Sequence, residues 1–120
     1  MRILVTGAAG MIGRKLVQRL LADGALGPHP IEALILHDVV RPEAGSAKVV
    51  ALESDLSAPG EVEALIAHRP DLIVHLAGVV SGEAERNFDL GYRVNLDGTR
   101  ALLEAVRVAG LAPRVVYAST

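Results

Sequence analysis

The chain has 120 residues, 51% of them apolar and 22% charged, with a formal net charge of −2. That balance suits one soluble globular domain with a modest core and argues against disorder. It offers no basic surface for nucleic acid, and the absence of cysteine excludes disulfides, thiol catalysis and thiolate metal sites. Phe88, Tyr92 and Tyr117 are the only aromatic residues, so the core must be built from Leu, Val, Ile and Ala, and base-stacking platforms are poorly supported. No apolar run approaches the roughly 20 residues of a membrane span. The N-terminus also lacks the layout of a signal peptide, which together with the missing thiols fits a cytoplasmic protein.

Arg2 to Thr6 reads as a short buried strand, because Ile3, Leu4 and Val5 are consecutive and apolar. A glycine loop follows from Gly7 to Gly13. Met11 to Asp23 is predicted to be a helix, with Ile12, Leu16, Val17, Leu20 and Leu21 at helical spacing and Gly24 as its stop. "LGPHPIE" reads as a turn-rich connection. The segments "ALILHDVV" and "KVVAL" are predicted strands. Ser57 is expected to cap a helix running through Glu61, Leu65 and Ile66, with Pro59 in its first turn. "DLIVHLAG" is a fourth strand and its exit. The longest helix is expected to start between Ser81 and Asp89 and to run to Ala109, carrying Leu90, Val94, Gly98, Ala101, Leu102, Ala105 and Ala109 as one stripe. "PRVVYAS" is a fifth strand. Strands that are apolar on both faces, separated by helices, imply a doubly wound parallel sheet of the Rossmann type, α/β/α in three layers. One domain over residues 1–120 is expected.

The chemistry is concentrated at "TGAAGMIG". Gly7, Gly10 and Gly13 form a G-x-x-G-x-x-G pattern between a strand and an amphipathic helix. Gly7 suits the tight turn out of the strand, Gly10 a close approach of pyrophosphate to the backbone, and Gly13 close packing of helix on strand. The N–H groups of the first helical turn, at Met11 and Ile12, would face the phosphates. No Gly-Lys-Ser/Thr follows, which disfavours a P-loop. Asp38 ends the second strand, where a carboxylate can accept from both hydroxyls of an adenosine ribose and repel a 2′-phosphate. That favours NAD over NADP. Arg14 and Arg41 complicate the choice, since either could serve a 2′-phosphate.

Taken together, "TGAAGMIG", Asp38, "SDLS", "HLAG", "NLDGT" and "VVYAST" resemble the extended short-chain dehydrogenases/reductases of the NAD-dependent epimerase/dehydratase family. The resemblance spans essentially the whole chain. It implies that Asp55 accepts a bond from the adenine amino group with Leu56 beside the ring; capping the following helix is the alternative role for Asp55. It implies that Ala77 and Gly78 line the cofactor, that Asn95 bonds strand backbone under the site and supports a proton relay, and that Thr120, with Ser119 as the weaker candidate, binds the reacting substrate oxygen. His75 reads as a satisfied strand histidine. The loop "VVSGEAERNFDLGYRVN" most resembles the branch of D-erythronate dehydrogenases and related sugar-acid oxidoreductases, which makes Ser81, Gly82 and Glu83 candidate substrate contacts. A homodimer built through the long helix is also implied, with a small-molecule substrate and no nucleic acid or membrane partner.

The family's general base is a Tyr with a Lys four residues later. Tyr92 is followed at that distance by Leu96, and Tyr117 has only three residues after it. The chain therefore reads as the N-terminal part of a longer enzyme, ending after the fifth strand, and no turnover is expected from it alone. The parent is expected to be an oxidoreductase acting on a sugar or sugar-acid hydroxyl. Nucleotide-sugar epimerisation, dehydration or decarboxylation is one alternative, and a non-catalytic dinucleotide-binding module is another.

Overall fold

The computed structural model describes residues 1–119. Its frame is a five-stranded parallel sheet in the order β5-β4-β1-β6-β7. The strands are β1 (Arg2–Thr6), β4 (Ala33–Asp38), β5 (Val49–Glu53), β6 (Leu72–His75) and β7 (Arg114–Tyr117). A two-residue hairpin, β2 (Ala25–Leu26) and β3 (His29–Pro30), fills the connection read as turns. The helices are α1 (Met11–Asp23), α2 (Glu61–Ile66), α3 (Ser81–Arg86), α4 (Phe88–Gly91) and α5 (Thr99–Val108), with a π-helical segment over Tyr92–Gly98. The doubly wound order expected from the sequence is therefore present.

Alternation along the central strands sorts the core into two layers. Ile3 and Val5, with Leu34, Leu36, Leu72 and Val74, pack against Val17 and Leu20 of α1. Leu4, Ile35 and Ile73 face the other way, onto Leu65 and Ile66 of α2 and Leu102 and Ala105 of α5. Side chains at successive strand positions point to opposite faces, so continuous apolar runs are what a sheet covered on both sides requires. Ile3, Leu4 and Val5 are wholly buried, each stabilising the fold by roughly 1.5–3 kcal/mol relative to exposure. The register is set pairwise, Thr6 beside His37 on one flank and beside His75 on the other.

Three local expectations are corrected. Ser57 does not cap α2: that helix begins at Gly60, whose φ of 83° starts it from a left-handed turn, and Ser57 bonds Asp55 instead. The long helix starts at Phe88, inside the expected range, and runs to Val108, but not as one regular α-helix. Asn87 leaves helical geometry (φ −131°, ψ 85°) and its side chain accepts the Leu90 amide at 3.1 Å, restarting the chain as α4. The turn then widens into the π segment before α5. Finally, Val39 and Val40 fall outside β4 and stand exposed.

Candidate functional site

The C-terminal ends of β1, β4 and β6 open onto a cleft of about 380 Å³. Gly7, Gly10, Asp38, Asp55, Leu56, Ala77, Gly78 and Glu83 line it, so eight sequence-chosen positions scattered over 77 residues meet in one cavity. His37, Val39, Leu76, Val79, Leu90 and Val94 complete the wall; nothing local in the sequence marks those positions.

The three loop glycines are required for different reasons. Gly7 has φ +72°, and a Cβ there would stand 2.7 Å from the Ala77 amide nitrogen. A Cβ on Gly13 would lie 2.3 Å from the Gly7 carbonyl oxygen, so α1 can approach the strand only without a side chain. Gly10 differs. Its φ of −71° is open to any residue, and an added Cβ would meet only the Gly7 carbonyl oxygen, at 3.3 Å. Folding asks less of Gly10 than of Gly7 and Gly13; a ligand that needs the space above it would ask more. Immediately beyond, the amides of Met11, Ile12 and Gly13 precede the first intrahelical bond, from the Arg14 amide to the Gly10 carbonyl. No side chain caps them and the first turn carries no acidic residue. Such an end attracts an anion.

Asp38 is held in place from both sides. Its Oδ2 accepts the Ala9 amide at 2.9 Å and its Oδ1 accepts the Val39 amide at 2.7 Å. Each oxygen keeps a further lone pair for a hydroxyl donor. Asp55 is the second fixed carboxylate. Oδ1 accepts the Ser57 hydroxyl at 2.6 Å and the Ser57 amide at 2.9 Å. These bonds, with burial opposing and the Arg93 guanidinium assisting, hold its pKa below the ordinary carboxylate value. Asp55 thus anchors the 55–58 turn and does not cap α2. Its Oδ2 lies 4.0 Å from Arg93 Nη2.

Asn95 sits in the π segment. Its Oδ1 accepts the Val79 amide at 2.8 Å and its Nδ2 donates to the Val79 carbonyl at 3.0 Å. Both ends of the amide are thereby spent on the strand exit, and Asn95 is absent from the cleft wall. It lies instead, with Ser81, on a neighbouring groove beside Phe88 and Tyr92. Of the candidate substrate contacts only Glu83 reaches the cleft; Gly82 is exposed. Ser119 is exposed just beyond β7, and Thr120 lies outside the described residues. Two histidines underlie the cleft at the sheet ends. His37 Nε2 is 2.8 Å from Ser54 Oγ, and its Nδ1 is buried with no hydrogen-bond partner among the described residues. Burial lowers the pKa of both His37 and His75.

A glycine turn from strand to helix, an uncapped helix start and an acid at the end of the adjoining strand define a dinucleotide-binding α/β domain. The model of the NAD dependent epimerase/dehydratase family matches residues 3–120, and the chain belongs to that family. A D-erythronate dehydrogenase from Cupriavidus necator is 45% identical over a 125-residue alignment covering all of this chain and 39% of that protein. A nucleoside-diphosphate-sugar epimerase from Agrobacterium tumefaciens superposes with a TM-score of 0.96 at 57% identity, over the whole chain and 37% of that structure. A uronate dehydrogenase variant from the same organism, complexed with NAD, superposes at 0.81 with 34% identity, over 99% of this chain and 40% of its own. The chain thus spans about two fifths of the length of these relatives.

Proposed function

We propose that residues 1–120 form the NAD-binding domain of a longer cytoplasmic, homodimeric oxidoreductase acting on a sugar or sugar-acid hydroxyl, with D-erythronate or a close analogue as substrate. The observation that carries the cofactor assignment is the contrast among the three glycines: packing demands Gly7 and Gly13 outright and Gly10 far less, which leaves room for a ligand above it as the reason for Gly10. In this reading the amides of Met11, Ile12 and Gly13 receive the pyrophosphate, and Asp38 the adenosine ribose. Asp55 and Leu56 receive the adenine, and Ala77 and Gly78 line the path between. NAD supplies a hydride acceptor for the alcohol carbon.

The 45% identity with a D-erythronate dehydrogenase supports the sugar-acid version. The likeness to the Agrobacterium epimerase favours nucleotide-sugar epimerisation as a second reading. Glu83, on the cleft wall, is the favoured substrate-contact candidate, with Ser119 and Thr120 as the candidates for the reacting oxygen. With no Tyr followed four residues later by Lys among the 120 residues, the chain alone binds NAD without turning substrate over.

Calorimetric titration with NAD and NADP tests the reading. NAD is expected to bind the more tightly, Asp38→Ala to narrow that preference, and Gly10→Val to abolish binding while the protein stays folded. Equal NAD affinity in Gly10→Val and the unsubstituted chain would sink it.

A further inference from the structure

The cofactor reading leaves Thr6 and His75 without a task. Both are buried, 0% and 2% exposed, at the ends of adjacent strands β1 and β6, and the register pairs them directly. Thr6 Oγ1 lies 2.7 Å from His75 Nδ1. The Ala77 amide donates to the same Thr6 oxygen at 3.3 Å. Across the imidazole, Nε2 lies 2.9 Å from Thr99 Oγ1 on α5. Tyr117 of β7 stacks on the ring with centroids 5.7 Å apart.

Counting protons gives this group a direction. An amide can only donate, so Thr6 Oγ1 is the acceptor for Ala77. The Thr6 hydroxyl hydrogen then needs an acceptor of its own, and among its hydrogen-bond partners in the described residues His75 Nδ1 alone can serve. A neutral imidazole carries one N–H. With Nδ1 accepting, the hydrogen sits on Nε2 and is donated to Thr99. The chain runs one way, from the Ala77 amide through Thr6 and His75 to Thr99.

We propose that Thr6 and His75 are positioning residues for the cleft, holding the Ala77 backbone against the Gly7 turn through this one-way chain. The inference rests on the reading of the cleft as the NAD site. The place is one where tolerance is least, since a single Cβ on Gly7 would collide with Ala77. A second proton on His75 would turn Nδ1 into a donor and strand the Thr6 hydroxyl hydrogen in a buried site, at the cost of an unpaired polar group. The groups facing His75 are His37 from β4, across Thr6, the Tyr117 phenol from β7, and the hydroxyls of Thr6 and Thr99. His37 in turn feels the negative charges of Asp38, Glu61 and Asp55, which burial outweighs. Burial and the charge of His37 both oppose protonation of His75.

The test combines nitrogen-15 spectra of the histidine rings, hydrogen exchange at the Ala77 amide and NAD calorimetry across pH, on the unsubstituted chain, Thr6→Val and Thr6→Ser. His75 is expected as the neutral Nε2–H tautomer, an observation that needs no variant. Thr6→Val is expected to speed exchange at Ala77, to weaken NAD binding about tenfold through the amide left unpaired, and to flatten the pH dependence of binding. Thr6→Ser, which keeps the hydroxyl and loses the methyl, restores all three. An Nδ1–H tautomer, or a Thr6→Val protein with an unchanged Ala77 amide and unchanged NAD affinity, overturns the proposal. Failure of the unsubstituted, folded chain to bind NAD overturns the cofactor reading and the functional half of the inference. The tautomer and the amide exchange then still decide whether the chain of bonds exists.

Discussion

β1 and β7 are alike in kind, "RILVT" against "RVVY", each an Arg followed by apolar residues, yet they occupy opposite situations. β1 lies between β4 and β6 and buries Ile3, Leu4 and Val5 completely, whereas β7 pairs only with β6 and leaves Val115, Val116 and Tyr117 40–54% exposed. Strand propensity is a local property, but burial belongs to the position in the sheet. The cleft stands where β1 ends, among strands paired on both sides, and Ser119 stands exposed beyond β7, on the edge. Within this chain, then, the residues assigned to the dinucleotide stand on strands packed on both sides, whereas Ser119 does not.

Mutation of equivalent apolar residues gives the largest test of that contrast. Leu4→Ala leaves a cavity between the sheet and the α2 and α5 layer and should cost about 2–5 kcal/mol. Val116→Ala, on a residue already 53% exposed, should stay within about 0.5 kcal/mol. Urea denaturation of the 120-residue protein measures both. Comparable losses would mean that β7 is covered in solution.

The same contrast separates what could be read in the sequence from what could not. The central strands, α1 and the glycine loop were legible because each announces itself within a dozen residues: an apolar run, a helical period, glycines where the chain turns. Asp38 was legible because strand-end acids beside such loops have a known chemistry. The π segment was not, because the stripe from Leu90 to Ala109 follows a single helical period. The wide turn and the residue before it make contacts outside the stripe. Asn95 pairs with Val79, and Gly91 sits so close to Ala84 that a Cβ there would be 2.7 Å from the Ala84 Cβ. The link from Thr6 to His75 joins residues 69 apart, a distance over which no local pattern carries information. His75 did read correctly as a satisfied strand histidine; what satisfies it did not show.

Within the glycine loop the prediction is a divergence between neighbours. Gly7→Ala forces an L-residue into a left-handed conformation, costing about 1–2 kcal/mol by itself, and presses a methyl group against the Ala77 backbone, so a total loss of at least about 2 kcal/mol is expected. Gly10→Ala has an ordinary φ and a single close contact, at 3.3 Å. Its stability should change by less than about 1 kcal/mol. Thermal unfolding of the two variants side by side checks this. A Gly10→Ala protein as unstable as Gly7→Ala would mean that packing requires all three glycines, and the inference from Gly10 to a ligand would lose its support.

The smallest effect expected is a dependence of stability on pH, and it also belongs to the central strands. Burial lowers the pKa of His37 and His75 from the usual 6.5. The unfolded chain therefore takes up protons near pH 6.5 that the folded chain refuses. Wherever the unfolded state binds more protons, stability falls as pH falls. The histidine contribution is thus complete above about pH 6.5 and is lost as pH drops toward the folded pKa values. Each histidine sets a limiting slope of about 1.4 kcal/mol per pH unit. Asp55 acts in a separate window: its pKa is lowered from 3.8, so its contribution persists through the histidine range and is lost only below that value. Between about pH 6.5 and 5, then, where the lowered carboxylates Asp55 and Glu104 stay largely ionised in both states, the decline belongs to the two histidines. Urea unfolding free energies at half-unit steps should show it, and His37→Gln or His75→Gln should each remove part of the slope. No edge residue should do so: Tyr117→Phe removes the phenol of the residue stacked on His75 yet leaves both imidazoles in place, and its pH profile should run parallel to that of the unsubstituted chain. A profile flat from pH 7 to pH 5 would mean that water reaches the imidazoles, and that the row of buried polar side chains beneath the cleft is open rather than sealed.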